Sequence, residues 1–387
     1  MAAIVGCLLL LPIVPLSSLK MPVYGLTILL ELLFMLVSLK RVQGKNMGTG
    51  FLGVLALFVV YLLARWIVGG LQGGERLVQT GLFLLTLVVF SRYRWRAGSV
   101  HTLYLAMSFI VVVSLLYWFV SGRVTNYYAA FYGHSNGFAV VVLATMAVTA
   151  LDSTFGKRLS HWIVIAVCAV LLLFANSRSA TLAAIAAVIV ASALVMVKRA
   201  GGTVKRVAEV MLFLTVALSL AFSVIYPMLY GTDLGCQLEL LSRQYLNKNF
   251  FSGREIIWQM ILGALNGHDL FGLGLQMTPS MIYETGYSSH NLYLQTMLQS
   301  GIIGLALFLG LLWAMLRKMA NNTEIGIIGS CVLIAMLLHD CFEVSLTQNN
   351  LDYSLLLWGF WGIVLSLERR HNPHELTDSN RHVSSEG

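Results

Sequence analysis

Hydrophobic runs follow one another along most of this chain, and short polar segments separate them. A run of about 20 apolar residues is long enough to cross a lipid bilayer as a helix. Assigning one helix to each apolar run predicts an all-α fold with twelve spans. The predicted spans are 2–19, 22–39, 51–69, 77–91, 99–121, 135–151, 161–175, 178–197, 208–229, 290–316, 325–343 and 353–367.

One polar segment, residues 230–289, is much longer than the others. Apolar side chains within residues 254–266 recur at the spacing of one helix face; they are Ile256, Ile257, Met260, Ile261, Ala264 and Leu265. This spacing predicts a short amphipathic helix that lies along the membrane surface or packs on the ends of the spans. Ser252 and Glu255 have the spacing of a capping box, which makes Ser252 the predicted N-cap.

Composition and charge support a polytopic membrane protein. Hydrophobic residues make up 58% of the 387 residues and charged residues 11%, about half of the charged fraction in a soluble domain. If the N-terminus is inside, most basic residues fall in inner loops, at residues 40–45, 92–96, 157–158, 198–206 and 317–318. The positive-inside rule then predicts two cytoplasmic termini and an extracytoplasmic segment 230–289. The same bias accounts for the net charge of +8, so this charge does not indicate nucleic-acid binding.

The domain organisation expected from the sequence is simple. Residues 1–367 are predicted to form one membrane domain, and the polar residues 368–387 a disordered cytoplasmic tail. The cysteine spacing suggests no zinc or iron–sulfur site, and no aspartate-rich cluster implies magnesium, so no metal or cofactor is expected. A disulfide between Cys236 and Cys341 is left open, since both are able to face outward.

Three candidates for chemistry lie where predicted helices begin on the outer side: Arg178, Arg254 and His290. The free N–H groups and the dipole at a helix N-terminus favour an anion, and arginine binds phosphate oxygens in a bidentate fork. The same dipole disfavours an imidazolium, so His290 is expected to be neutral and able to accept a proton. For each residue the alternative is an interfacial role, as a solvated or membrane-edge arginine or a hydrogen-bonded histidine.

Together these residues suit a diphosphate leaving group and a hydroxyl nucleophile, with arginines in the charge-neutralising role that a metal ion often has. Asn291 and Tyr293 either orient the histidine ring or a sugar hydroxyl, or serve the membrane interface. Glu343 either lines the acceptor path, orients the histidine or belongs to a structural polar cluster. Arg243 and Lys248 are able to contact phosphate, although a solvated loop charge is the default for both.

The long polar segment contains two motifs that resemble those of a known family. Ser252-Gly253-Arg254, followed by Trp258 and Gly272-Leu273-Gly274, resembles the outer-loop motif of the O-antigen ligase and Wzy-type polymerase superfamily. The run Ser289-His290-Asn291-Leu292-Tyr293-Leu294 resembles the histidine motif that closes this loop in the same family.

Two further motifs lie upstream of the polar segment. Asn176-Ser177-Arg178-Ser179 is similar to the arginine turn of the family, and His134-Ser135-Asn136 to its His-x-Asn element. The resemblance covers roughly residues 120–365. The order and topological placement of the motifs are more specific than any one of them.

The resemblance implies a metal-independent, inverting glycosyltransferase of the GT-C-like kind in the bacterial cytoplasmic membrane, with its active site facing the periplasm or exterior. By matching positions, Arg178 and Arg254 are implied to grip the diphosphate of an undecaprenyl-diphosphate-linked glycan, and His290 to activate the acceptor hydroxyl. The predicted substrate-binding residues are Asn291, Tyr293, His134, Asn136, Arg243 and Glu343. The implied partners are the lipid-linked donor, a glycan acceptor, membrane lipids and a chain-length regulator, without nucleic acid.

A Wzy-type polymerase that joins lipid-linked repeat units is the first expectation, because Tyr287-Ser288-Ser289 resembles polymerases more closely than ligases. An O-antigen ligase, which moves the same donor glycan onto lipid A-core, is the alternative that shares these motifs. A flippase or other transporter is a second alternative. It predicts charged residues at the bilayer midplane and a repeat between the halves, and the sequence shows no such repeat.

Overall fold

The computed structural model describes residues 1–39, 48–122, 125–283, 288–347 and 351–371, and all regular structure in these ranges is helical, as predicted. A 3₁₀ helix, Val14–Leu19, lies between the first two α-helices. The α-helices are α1 (Ala2–Leu10), α2 (Lys20–Leu39), α3 (Thr49–Val68), α4 (Gly74–Arg92), α5 (Ala97–Val120), α6 (Ser135–Ser153), α7 (Leu159–Ala175), α8 (Arg178–Arg199), α9 (Val204–Met228), α10 (Asp233–Leu246), α11 (Arg254–Leu265), α12 (Pro279–Tyr283), α13 (Leu292–Met319), α14 (Glu324–His339) and α15 (Leu351–His371).

The first predicted span, residues 2–19, is not one helix. Helix α1 ends at Leu10, and the 3₁₀ helix begins at Val14 with a proline in its first turn. Pro12 and Pro15 explain the break, because proline lacks the N–H that continues a helix. The nine residues of α1 span about 14 Å, which is too short to cross a bilayer.

The remaining predicted spans each correspond to one helix. Nine helices in the described part of the chain are long and apolar enough to cross a membrane, and α7 and α14 are apolar but shorter. The protein is therefore a polytopic integral membrane protein, although the predicted number of twelve spans is not established. Within the bundle, α15 packs along α4, α14 along α8 and α13 along α3.

The C-terminal part differs from the sequence prediction in two places. Helix α14 ends at His339 rather than at residue 343, so that Glu343 lies in the loop 340–347. Helix α15 continues to His371, and within the predicted tail Glu368 is buried and accepts a hydrogen bond from Asn321 at 2.8 Å. The later residues of that tail, 372–387, lie outside the described ranges.

The cysteines do not pair. Cys236 is exposed on α10, Cys341 is buried after α14, and both are free thiols. The disulfide that the sequence left open is therefore absent from the structure.

The polar segment 230–289 contains three helices, α10, α11 and α12. Helix α11 begins at Arg254 as predicted, but its N-cap is Gly253 instead of Ser252. Glu255 still reaches back as a capping box requires, because its carboxylate accepts the backbone N–H of Ser252 at 3.1 Å. Helix α10 was not predicted from the sequence, although the Thr232 hydroxyl caps it.

Helix α13 is interrupted at Gly301, whose φ of 66° lies in the left-handed region. The loop between α11 and α12 supplies hydrogen-bond partners at this break, since Ile302 N–H donates to the Asp269 carbonyl at 2.8 Å. A Cβ at position 301 would lie 2.2 Å from the Leu270 carbonyl oxygen, so only glycine fits. Leu273 N–H also donates to the carbonyl of Leu298 at 2.8 Å, so the Gly272-Leu273-Gly274 motif packs the polar segment onto α13.

Candidate active site

Several helix ends meet around one cavity of about 830 Å³. Arg178 and Arg254, the first residues of α8 and α11, lie on its wall together with His290, which precedes α13. Asn136 from the first turn of α6 and Lys248 from the α10–α11 connection also line it. The three residues singled out in the sequence for chemistry therefore share one cavity, although they are far apart along the chain.

Arg178 occupies the helix start that the sequence predicted. Asn176 ends α7 with a φ of 52°, and Ser177 is the N-cap of α8, so the two helices meet in a tight turn. The Arg178 Nη1 atom donates to the backbone carbonyl of Asn249 at 2.9 Å. Among the described residues, Arg178 forms no ion pair with a carboxylate.

Glu343 contacts the other two candidates, Arg254 and His290. Its Oε1 atom accepts hydrogen bonds from Arg254 Nη2 at 2.8 Å and from Asn136 Nδ2 at 2.5 Å. Its Oε2 atom lies 3.0 Å from Nδ1 of His290. One carboxylate thus links the start of α11, the first turn of α6 and the segment before α13. Of the three roles left open for Glu343, these contacts fit both the orientation of His290 and a structural polar cluster.

The electrostatics of Glu343 favour its charged form. Burial alone would raise the pKa of this carboxyl, whose side chain is only 6% exposed. The hydrogen bond from the His290 ring and the charge of Arg254 act against burial, and the pKa of Glu343 lies below its ordinary value. We therefore expect Glu343 to be anionic and to accept a hydrogen bond from a protonated Nδ1 of His290. The other ring nitrogen, Nε2, then carries no proton and is able to accept one.

The backbone at His290 differs from the prediction. The sequence placed His290 at the start of a helix with Ser288 or Ser289 as the cap, but α13 begins at Leu292 and its N-cap is Asn291. His290 itself has a φ of 45°, in the left-handed region. For a residue other than glycine such a conformation costs about 1–3 kcal/mol and is commonest at functional sites.

Trp258 of α11 and Asn291, the N-cap of α13, hold this strained segment. The indole of Trp258, which is fully buried, donates to the carbonyl of Ser289 at 2.8 Å. Asn291 caps α13 by accepting Leu294 N–H at 2.9 Å, and its amide group donates to Ser223 and to the Cys341 carbonyl. The Trp258 that follows the Ser-Gly-Arg motif therefore positions the neighbour of His290.

Asn291 and Tyr293 were predicted to bind substrate, and the structure corrects both assignments. Both side chains are fully buried. Both polar groups of the Asn291 side chain have protein partners, and the Tyr293 hydroxyl donates to the Leu337 carbonyl at 2.9 Å. Because neither side chain reaches the cavity, their role is to hold the start of α13.

His134 and Arg243 also lie elsewhere than predicted. The His134 ring caps α6 by accepting Gly137 N–H at 2.9 Å, and His134 is not among the residues that line the cavity. Arg243 is 62% exposed on α10, where it pairs with Glu239 four residues earlier. Asn136, by contrast, lines the cavity and contacts Glu343 as described above.

Lys248 is the cavity residue that the sequence reasoning set aside as a solvated charge. Its ammonium group donates to the side-chain oxygen of Asn176, next to Arg178. Burial and the charge of Arg178 lower the pKa of Lys248. The signal in the sequence was its position in Asn247-Lys248-Asn249, which only Phe250 and Phe251 separate from the Ser-Gly-Arg motif.

The cavity collects positive charge beside the ring of His290. Its cations are Arg178, Lys248 and Arg254, and Glu343 neutralises only the last of these. Among the described residues, no three His, Cys, Asp or Glu side chains form a group that could hold a metal ion. Such a cavity, at the end of a membrane helix bundle, places several positive charges beside an imidazole.

One comparison with known proteins gave a family match. A family model described as O-antigen ligase matches residues 163–309, a range that contains Arg178, Lys248, Arg254 and His290 but neither Asn136 nor Glu343. The match confirms the resemblance to the O-antigen ligase and Wzy-type polymerase superfamily and supports a glycosyl-transferring role. A search of curated proteins gave no match.

Proposed function

We propose that this protein is a Wzy-type polysaccharide polymerase that joins undecaprenyl-diphosphate-linked oligosaccharide repeat units. The observation that carries the proposal is the single cavity lined by Arg178, Arg254 and the His290 that contacts Glu343. This transfer requires cations that bind the diphosphate and a base that accepts the proton of the hydroxyl. The match to the O-antigen ligase family over residues 163–309 supports the same chemistry.

The diphosphate of the donor binds between Arg178 and Arg254. Arginine donates to phosphate oxygens in a bidentate fork, and the N-termini of α8 and α11 add backbone N–H groups and favourable dipoles. As the bond between the anomeric carbon and the diphosphate oxygen breaks, negative charge grows on the leaving group. The two guanidinium groups stabilise this charge without a metal ion.

The acceptor hydroxyl attacks the anomeric carbon from the side opposite the diphosphate, which inverts the configuration. His290 Nε2 takes the proton of the hydroxyl, while Glu343 holds Nδ1 and stabilises the imidazolium that forms. The new bond joins the acceptor oxygen to the anomeric carbon, and the bonding electrons of the old bond leave with the lipid diphosphate. A diphosphate is a good leaving group, so no strong acid is needed.

We further infer that residues 1–367 form one catalytic membrane domain in the bacterial cytoplasmic membrane, with cytoplasmic termini and the cavity facing the exterior. Helices α8 and α13 support this orientation, because the starts of both are close to the cavity and their last turns carry Lys198, Arg199, Arg317 and Lys318. The partners would be the lipid-linked donor, a glycan acceptor, membrane lipids and a regulator of chain length.

An O-antigen ligase is the second candidate, because the matched family model carries that description. The polymerase preference came from Tyr287-Ser288-Ser289, and Tyr287 lies outside the described residues. The two functions share the donor and the leaving group and differ in the acceptor.

Reconstitution separates these candidates. The full chain is purified, placed in lipid vesicles and supplied with lipid-diphosphate repeat units, with and without lipid A-core. A ladder of longer lipid-linked glycans supports the polymerase, and transfer only to lipid A-core supports the ligase. Movement of the donor across the bilayer without a new glycosidic bond would contradict both.

A further inference from the structure

We propose that Lys248 is a further donor-binding residue, which joins Arg178 and Arg254 in binding the diphosphate group. This inference rests on the proposed function and assigns a role to a residue for which the sequence had a solvated loop charge as the default. The ligand class is a diphosphate, either free or attached to a prenyl lipid.

The cations that line the cavity differ in whether a carboxylate is their partner. Arg254 is paired with the carboxylate of Glu343 at 2.8 Å. Arg178 and Lys248 donate instead to neutral oxygens, the backbone carbonyl of Asn249 and the side-chain carbonyl of Asn176. Neither forms an ion pair with a carboxylate of the described residues.

The unpaired positive charges of the cavity match the negative charges of a diphosphate in number. A diphosphate diester carries one negative charge on each phosphate at neutral pH. The charge of Arg254 is already matched by Glu343, so the positive charges left unmatched in the cavity are those of Arg178 and Lys248. Holding two cations side by side is unfavourable, and an anion between them relieves the repulsion. Burial, and after it the charge of Arg178, lowers the pKa of Lys248.

Hydrogen bonds from α10 fix the backbone of Lys248 and of the residues that follow it. The Ser242 hydroxyl of α10 donates to the Lys248 carbonyl at 2.7 Å. The carboxylate of Glu239, also on α10, accepts the backbone N–H of Phe250 at 2.7 Å and of Phe251 at 3.0 Å. A lysine on such a fixed segment presents its charge at one place on the cavity wall, unlike a solvated loop lysine.

The test uses the purified full chain in lipid nanodiscs and measures binding of inorganic pyrophosphate by calorimetry at low salt. Lys248→Gln is expected to weaken binding about 10-fold or more, as the loss of a charged hydrogen bond predicts. Lys248→Arg, which keeps the charge, should bind within about 3-fold of wild type. The matched control is Lys157→Gln, because Lys157 is exposed between α6 and α7, away from the cavity.

Thermal unfolding distinguishes a binding role from a structural one. Removing one of two neighbouring cations should leave the melting temperature of Lys248→Gln unchanged or raise it, whereas a structural lysine would lower it. Farnesyl diphosphate is titrated in parallel, and binding at least as tight as that of pyrophosphate would indicate a lipid-linked diphosphate as the ligand.

Two results would overturn the inference in different ways. If Lys248→Gln bound pyrophosphate like wild type while Arg178→Gln lost binding, Lys248 would have no role and the proposed function would stand. If wild-type protein bound neither pyrophosphate nor farnesyl diphosphate, both the anion site and the proposed function would be wrong.

Discussion

Replacing Glu343 by glutamine is expected to inactivate the protein, because it moves the ring proton of His290 from one nitrogen to the other. The substitution keeps the shape of the side chain and removes its charge. Arg254 Nη2 and Asn136 Nδ2 both donate to Oε1, so the amide oxygen of a glutamine must take that position. The amide NH₂ group then faces Nδ1 of His290, which has to become the hydrogen-bond acceptor. The ring proton consequently moves to Nε2, and the nitrogen that should accept the hydroxyl proton is blocked.

The magnitude follows from the loss of the general base. General base catalysis contributes about 10²–10⁴-fold to a rate, so kcat should fall by that factor, or about 3–5 kcal/mol in barrier height. The free energy of unfolding should also fall by about 1–3 kcal/mol, because Arg254 loses its charged partner. The pKa of Glu343 is depressed, so its charged pairing stabilises the fold above the ordinary carboxyl value of 4.5 and is lost as the pH falls through the lower folded-state pKa. The stability deficit of Glu343→Gln should therefore be largest at neutral pH and shrink in acid.

The assay is transfer from lipid-linked repeat units in vesicles, with kcat followed across the pH range and thermal unfolding measured on the same preparation. Glu75→Gln is the matched control, because Glu75 is 69% exposed at the start of α4. Near-normal turnover of Glu343→Gln, in protein that unfolds at a lower temperature, would show that Glu343 has only a structural role and refute the tautomer argument.

Three other changes test separate parts of the site. Arg178→Ala and Arg254→Ala are each expected to abolish transfer while the protein stays folded, and near-normal product from either variant would remove its diphosphate role. His290→Ala should be inactive; retained activity with an unchanged pH profile would rule out the general base. Asn291→Ala should lower the free energy of unfolding by about 1–3 kcal/mol, since it loses the α13 cap and two buried hydrogen bonds, and an unchanged unfolding midpoint would contradict the assigned structural role.

The parts of this protein that the sequence predicted well are those with local signals. Apolar runs located the spans after the first, and the starts of α8 and α11 fell at Arg178 and Arg254 as predicted. Two local signals were present but missed. The prolines at positions 12 and 15 break the first predicted span, and Thr232 caps the unpredicted α10.

The centre of the site had no local signal. Glu343 contacts Arg254 and Asn136 across separations of 89 and 207 residues, and only the packing of α6, α11 and the loop 340–347 brings them together. The assignment of Asn291 to substrate failed for a related reason. A polar residue beside a candidate base was taken as functional, although its place three residues before Leu294 is that of a helix cap.

The most direct test of the glycosyl-transfer site is a cryo-electron-microscopy map of the full chain with a non-transferable lipid-diphosphate sugar bound. We predict that the diphosphate lies against the Arg178 and Arg254 guanidinium groups and that the anomeric carbon faces His290 within reach of an acceptor hydroxyl. Density for the diphosphate outside this cavity, or a sugar turned away from His290 with the guanidinium groups unoccupied, would contradict it.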